Sequence, residues 1–401
     1  MCGKTAGEAA PWAATASRER VPRILHTADW QIGKPYRWIA DPQKQARLQR
    51  ERIEAVSRIG EVARRESVDA LLVAGDLFDS STVPASEVLE VMELIGAMPC
   101  PVLVIPGNHD HGGAGGIWRR EDLRRRMRER APNLELLTQP EPKSRAGMTL
   151  LPCPLLRRHD SVGPMRWLDQ LNWQDLDPKA PRVLLAHGSV QGFGSGTDVN
   201  ALHLEQLPTG ELDYIALGDW HGLMQVQSNA WYSGTPEPDR FPTGPDDQRS
   251  QVILADLTRG DDPRVQMITT GRVAWHRITM QLQGLPDLER LNQELDACIG
   301  SRVGRDLLRL ELNGQLGLDA HRRLQALLSE LSEQLLHLRL RGELRRYPTD
   351  GELDQCLNRS DGPLLSGIAA GLKQELEVGA DPLIEQALIE LHQLCSTSPC
   401  A

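Results

Sequence analysis

Long apolar runs are missing from this sequence. No stretch approaches the ~20 apolar residues that a membrane helix needs. The longest, Ala70 to Ala74 and Val102 to Ile105, have only the length of a strand. Residues Met1 to Arg20 are rich in alanine but lack an uninterrupted apolar segment, so a disordered tail is expected over 1–20 and not a signal peptide. With no targeting signal, the cytoplasm is the expected location. A C-x-x-C pair is missing as well. The seven cysteines are odd in number and scattered, which fits reduced thiols and argues against a disulfide framework or a zinc ribbon. No Gly-Lys-Ser/Thr follows either glycine-rich stretch, His111 to Gly116 or Gly192 to Gly196, so neither is a phosphate loop. Both read as plain connections or mobile loops. There is no internal repeat and no low-complexity tract.

What is present describes a soluble globular chain. It has 401 residues, 40% of them apolar and 25% charged, enough for a sizeable core and two or three domains. The net charge of −10 is uneven: from Pro348 onward nine acids stand against Arg359 and Lys373, a net of −7, leaving −3 for the first 347 residues. An acidic balance confined to one end does not exclude nucleic acid, which needs only a local basic patch.

Short β-branched runs alternate with amphipathic stretches along the first two thirds. Strands are predicted at Val21 to Ala28, Asp69 to Ala74, Val102 to Ile105, Arg182 to Ala186 and Tyr214 to Leu217. Helices are predicted at Gln45 to Arg64 and Pro84 to Met98. Two further strands, Gln251 to Asp256 and Arg264 to Thr269, follow without helices between them. The pattern predicts an α/β sandwich. A β-α-β-α-β block then runs from His276 to Leu340, with its second strand ending in a turn at Asn313-Gly314. Two helical stretches, Leu364 to Glu377 and Pro382 to Leu394, close the chain.

The predicted strands share a chemistry at their ends. The first ends in Asp29-Trp30-Gln31, the second in Gly75-Asp76-Leu77-Phe78-Asp79, and the third in Gly107-Asn108-His109-Asp110. The fourth ends in His187 and the fifth in Gly218-Asp219-Trp220-His221. Any one of these is a common turn sequence. Five in succession place carboxylate, amide and imidazole groups at the carboxyl edge of a sheet, where sites of α/β folds lie. That mixture suits Mn²⁺, Fe²⁺ or Zn²⁺. A carboxylate bridging two such ions would let them clamp the attacking and leaving oxygens of a phosphoryl group.

The order of these motifs resembles the calcineurin-like metallophosphoesterases. The words His26-Thr27-Ala28-Asp29-Trp30, Gly75-Asp76-Leu77-Phe78-Asp79 and Trp231-Tyr232-Ser233-Gly234-Thr235-Pro236-Glu237 resemble SbcD-type DNA repair nuclease subunits. The resemblance covers roughly Val21 to Tyr347. It implies a four-layer α/β/β/α phosphoesterase sandwich over 21–275, a small α/β capping domain over 276–347, and an acidic linker with C-terminal helices over 348–401. It implies two divalent ions, Mn²⁺ first, with Mg²⁺ and Fe²⁺ compatible, and a bridging hydroxide as nucleophile. Asp29, Gln31 and His221 would hold the first ion and Asn108, His187 and Asp219 the second, with Asp76 between them. His109 would donate to the leaving oxygen or stabilise the phosphoryl group, and Asp79 would orient it. The substrate implied is DNA. The partner implied is an SMC-like, SbcC-type ATPase bound by the C-terminal helices, and the two early helices are candidates for a homodimer bundle.

Two ligands depart from the family. Gln31 stands where it usually has His, and Asp219 stands where it has the first His of a Gly-His-x-His. More oxygen and less nitrogen favours Mn²⁺ or Mg²⁺. The departures also keep two rival readings open: a hydrolase of nucleotides or other small phosphoesters on the same core, and an inactive adaptor that binds the ATPase or DNA ends. Arg119 to Arg130 holds seven arginines against three acids. Arg119, Arg120, Arg124 and Arg125 are the candidate contacts for DNA phosphates, with a solvated, ion-paired helix face as the alternative. Among the nine tryptophans, Trp30 and Trp220 lie inside the motifs and are the two candidates for base stacking.

Overall fold

The computed structural model describes residues 21–190, 199–244, 247–300, 302, 304–346, 348–358, 363–378 and 382–397. The expected tail over 1–20 and the Gly192 to Gly196 stretch lie outside them. The chain divides after Val273 into two compact units.

In the first unit the strands are, in order, β1 (Arg23–Thr27), β2 (Ala70–Ala74), β3 (Val102–Ile105), β4 (Leu134–Leu136), β5 (Lys143–Arg145), β6 (Met148–Cys153) and β7 (Arg182–His187). They continue with β8 (Ser189–Val190), β9 (Ala201–Leu202), β10 (Tyr214–Gly218), β11 (Met224–Gln227), β12 (Ala230–Tyr232), β13 (Gln251–Asp256) and β14 (Arg264–Thr269). Two six-stranded sheets result, ordered β14-β13-β1-β2-β3-β4 and β11-β12-β10-β7-β6-β5. In each, four neighbouring strands run parallel; antiparallel strands close one edge of the first sheet, through β13 and β14, and both edges of the second, through β11 and β5. The central parallel strands are buried on both faces, which is why Ala70–Ala74 and Val183 to Ala186 read as unbroken apolar runs.

Three apolar layers hold this unit together. Ile24, Leu72, Leu103 and Ile105 of the first sheet meet Leu150, Val183, Leu185 and Ala216 of the second. On its outer face the first sheet packs against helices α1 (Pro42–Arg65) and α2 (Ala85–Gly96) through Ile53, Val56, Ile59, Val88 and Met92. α1 is opened by Asp41, whose carboxylate accepts from the Gln43 and Lys44 amides, a cap worth about 1 kcal/mol. α3 (Glu121–Arg130) follows the third motif. The layer outside the second sheet is built from three short 3-10 turns, at Arg166–Gln170, Trp173–Asp175 and Leu204–Gln206. They lay Leu168, Leu176 and Leu204 on the sheet. No large apolar side chain of α1 or α2 is exposed among the described residues; both helices lay their apolar faces on their own sheet.

His26, from the first family-like word, is a structural group. It is fully buried between the sheets, with Nε2 3.2 Å from the Leu217 carbonyl and Nδ1 3.0 Å from the Tyr214 hydroxyl. A carbonyl only accepts, so Nε2 carries the hydrogen and Nδ1 accepts from tyrosine. Burial holds its pKa down at about 3, against 6.5 ordinarily. The unfolded chain therefore takes up a proton below about pH 6.5 that the folded chain refuses until about pH 3. Stability is complete above that window and falls by ~1.4 kcal/mol per pH unit through it. Denaturant unfolding should show His26→Gln losing about 2 kcal/mol less than wild type between pH 7 and pH 5; equal losses would contradict this assignment.

In the second unit β15 (Trp275–Leu282), β16 (Leu307–Leu316) and β17 (His337–Arg341) form a parallel sheet, with β18 (Leu344–Arg346) also on β16. α4 (Leu285–Cys298) and α5 (Leu318–Gln334) contribute Leu288, Leu291, Leu324 and Leu331 to its core. Asn313-Gly314 does not end the strand as the sequence predicted. β16 runs through it because Gly314 adopts φ +118° and lies so close to Leu282 that an added Cβ would stand 2.2 Å from that carbonyl oxygen. Glycine here marks close backbone approach inside a strand. α6 (Asp350–Leu357), α7 (Pro363–Val378) and α8 (Pro382–Thr397) complete the unit. Among the described residues no helix is long and apolar enough to cross a membrane.

Candidate metal centre

The site is built where β1, β2, β3, β7 and β10 end. Past β1 the chain stays beside the chain past β2: the Asp29 amide donates to the Gly75 carbonyl (3.1 Å) and the Gln31 amide to the Asp76 carbonyl (2.9 Å). Asp29, Gln31, Asp76 and Asp219 all have left-handed backbones, with φ of 54°, 44°, 53° and 100°. Such conformations are uncommon outside glycine and cluster where function over-determines the backbone. Glycines of the second and third motifs make room for side chains from other motifs. A Cβ on Gly107 would lie 2.2 Å from Asp76 Oδ1, and one on Gly75, at φ +87°, would lie 2.3 Å from His187 Nδ1.

The side chains converge. Asp29, Asp76 and His187 are buried, with ligand atoms all within 4.8 Å of one another. His187 Nε2 is 3.5 Å from Asp76 Oδ1 and 3.8 Å from Asp219 Oδ1. The Asn108 amide nitrogen lies 3.5 Å from Asp219 Oδ1. His221 Nε2 is 3.7 Å from Asp29 Oδ1. Both histidines are aimed by their other nitrogen. His187 Nδ1 donates to the Ala74 carbonyl (2.7 Å) and His221 Nδ1 to Asp239 Oδ2 (2.9 Å), the arrangement that fixes the tautomer of a ligating imidazole.

Three atoms at this centre are buried without a hydrogen-bond partner: Asp29 Oδ1, Asn108 Oδ1 and His187 Nε2. Each is a metal-ligating atom type, and buried polar atoms are normally satisfied. These residues therefore fit a divalent ion. The electrostatics agree. Burial pushes the Asp29 carboxyl up to about 6, against the pull of His221 and His187. Burial disfavours a charged His187, yet the carboxylates of Asp76, Asp29 and Asp219 outweigh it and raise that pKa to about 9. Carboxylates thus concentrate where a cation would sit and favour positive charge there.

Asp79 meets His109 through its main chain and not through the carboxylate that the second-Asp role implied. Its carbonyl accepts from His109 Nδ1 at 2.8 Å, while its carboxylate lies 3.9 Å from Lys34 Nζ. The His109 amide in turn donates to Asp76 Oδ1 (2.9 Å). The candidate DNA arginines are largely engaged internally. Arg120 forks onto Asp122 and donates to the Val83 carbonyl, Arg119 donates to Gly112, and Arg124 donates to Trp118; Arg125 is exposed. His111 to Gly116 is a tightly packed turn: a Cβ on Gly116 would lie 1.9 Å from the His111 carbonyl oxygen. Trp30 is core, its indole N–H on Thr27 Oγ1. Trp220 is half-buried with the Arg240 guanidinium 5.7 Å from its ring centre.

Sequence reasoning missed four supporting residues. Asp110 is fully buried and ties the third motif to the second, accepting from the Gly107 and Phe78 amides. Asp239 holds His221, and Lys34 reaches Gln31 and Asp239. Arg52, 2% exposed, binds the Asp29 and Trp30 carbonyls and Thr235 Oγ1 from below. The available signal was that Asp110 and Asp239 sit inside or just after the motifs. Arg52 carried none, since it looks like any helix arginine.

The chain is similar to the SbcD subunit of the nuclease SbcCD from Escherichia coli K12, 25% identical over 259 residues that cover 55% of this chain and 61% of that protein. It is 34% identical to the corresponding SbcCD nuclease subunit of Bacillus subtilis 168 over 93 residues, 22% of each chain. To the DNA double-strand break repair protein Mre11 of Methanosarcina acetivorans it is 28% identical over 235 residues, 55% of this chain and 34% of that protein. The matches thus span less than two thirds of each relative. A solved structure from Thermus thermophilus, TT1561, aligns over 62% of this chain and 99% of that one at 14% identity and a TM-score of 0.39. The family model for calcineurin-like phosphoesterases matches residues 22–223, which takes in all five strand-end motifs up to His221, and the chain belongs to that family.

Proposed function

We propose that this protein hydrolyses phosphodiester bonds in DNA with the help of a divalent ion, as the nuclease subunit of a complex with a coiled-coil ATPase. The observation that carries the reading is the convergence of three buried, unpartnered ligating atoms, on Asp29, Asn108 and His187, beside the Asp76 carboxylate. A bound ion would polarise a phosphoryl oxygen and supply a water acidic enough to attack near neutral pH. Asp29, Asp76, Asn108, His187 and Asp219 would hold it. The family's pattern adds a second ion, with Gln31 and His221 among its ligands. Four oxygen donors to one imidazole support Mn²⁺ or Mg²⁺ over softer metals. With Nδ1 donating to the Asp79 carbonyl, His109 keeps Nε2 for the substrate; in the imidazolium form that nitrogen donates to the leaving oxygen.

The matched relatives, SbcCD nuclease subunits among them, support DNA as the substrate. The exposed Leu364, Ile368 and Leu383 of α7 and α8 support an apolar partner such as an ATPase coiled coil. Leu388 and Leu391 of α8 are buried.

Cleavage of linear DNA and of bis-p-nitrophenyl phosphate, each with Mn²⁺ and with EDTA, tests the reading. Manganese-dependent cleavage of both is expected. Cleavage of the small ester alone, with the ATPase partner supplied, would replace DNA by a small phosphoester. Cleavage of neither by folded, metal-loaded protein would replace the enzyme by an adaptor.

A further inference from the structure

The half of the centre that Gln31 and His221 would complete is already closed by the protein itself. Lys34 Nζ lies 2.5 Å from Gln31 Oε1 and 3.2 Å from Asp239 Oδ2. Gln31 Nε2 lies 3.2 Å from His221 Nε2, and His221 Nδ1 lies 2.9 Å from the same Asp239 Oδ2. The four side chains form a ring.

The donors and acceptors around that ring have one consistent assignment. An ammonium only donates, so the amide of Gln31 must turn its oxygen to Lys34 and its N–H to His221. His221 then accepts at Nε2 and donates from Nδ1 to Asp239, which is the neutral tautomer. Gln31 Oε1 and His221 Nε2, the two atoms that would ligate the first ion, are therefore both occupied. Neither is among the buried atoms without a partner, whereas Asp29 Oδ1, Asn108 Oδ1 and His187 Nε2 are. Freeing them for a cation would require the amide to turn its N–H groups onto the ammonium, or the ammonium to leave both Gln31 and Asp239; while Lys34 stays, a dication would sit beside a positive charge. Gln31 is 2% exposed and Asp239 is 7% exposed, and only the Lys34 and His221 side chains, at 22% and 15%, reach water. With Lys34 on Gln31 and Asp239, the first position does not fit an ion.

We propose that the Lys34 ammonium takes the place of the first metal and that this protein is a mononuclear member of a family with a two-ion pattern, holding its single divalent ion at Asp29, Asp76, Asn108, His187 and Asp219. This rests on the metal-dependent reading above. Gln31 and Lys34 then belong together, because a glutamine in place of the usual histidine gives the lysine a neutral oxygen to hold. The positive pole that a second ion would offer a phosphate comes from the chain.

The test is titration of the metal-stripped full chain with Mn²⁺, followed by calorimetry and electron paramagnetic resonance. One equivalent with the hyperfine pattern of an isolated ion is expected. Two equivalents with an exchange-coupled spectrum would overturn the proposal. In the double variant Gln31→His, Lys34→Gln, shown to be folded by circular dichroism, a second equivalent and a coupled spectrum are expected. A folded double variant that still takes one ion would overturn the role given to Lys34. Phosphodiester cleavage is read separately. One ion without cleavage keeps this inference and removes the proposed function, two ions with cleavage does the reverse, and no manganese uptake removes both.

Discussion

Replacing Asp76 by asparagine is expected to remove tight metal binding and to lower metal-dependent phosphodiester hydrolysis by on the order of 10³-fold or more. Asp76 sits at the centre of the cluster, 3.5 Å from His187 Nε2 and accepting the His109 amide. Its backbone is left-handed, at φ 53°. Asparagine tolerates that conformation far better than alanine, so the substitution removes the charge and leaves the loop. It turns a carboxylate into an amide beside His187, whose raised pKa of about 9 depends first among the attractive partners on Asp76. Calorimetric manganese affinity and hydrolysis of bis-p-nitrophenyl phosphate check this together. Activity within tenfold of wild type would place the essential ligand elsewhere.

Arg52→Ala is expected to be the most damaging substitution for stability, by about 3–5 kcal/mol. The guanidinium makes six contacts: Nε to the Trp30 carbonyl, Nη1 to Tyr36 Oη and the Glu237 and Pro238 carbonyls, Nη2 to the Asp29 carbonyl and Thr235 Oγ1. Alanine removes this donor from all of them, and the Asp29 and Glu237 carbonyls keep another, the shared Thr235 hydroxyl. Two of them, at Asp29 and Trp30, belong to the loop that presents the first ligand, so metal affinity should fall with stability. A melting temperature lower by roughly 10 °C is expected. A loss under 1 kcal/mol would mean that water or a neighbouring donor replaces the guanidinium. Lysine cannot rescue it, because a single ammonium has no fork to span both loops.

The sequence made the candidate ligands visible and their supports invisible for one physical reason. A candidate at a strand end follows a short apolar run directly, so Asp29, Asp76, Asn108, His187 and Asp219 announce themselves locally. Arg52 and Asp239 act on partners from other parts of the chain, and nothing near them in sequence names those partners. Gln31 and His221 were read as ligands because their positions match, but only the three-dimensional placing of Lys34 shows their atoms engaged. The same division holds for the fold. The long amphipathic helices and buried parallel strands were readable. β6 was not, because a six-residue run containing Pro152 has too little pattern to separate from a loop. Nor was the layer over the second sheet, since 3-10 turns of three to five residues have no periodicity to detect.

The most direct test of the account is a crystal structure of the manganese-loaded protein with anomalous scattering from the metal. The account expects a peak among Asp29 Oδ1, Asp76, Asn108 Oδ1 and His187 Nε2, with Gln31 still turned to Lys34. A fully loaded crystal with no peak among those atoms would contradict it.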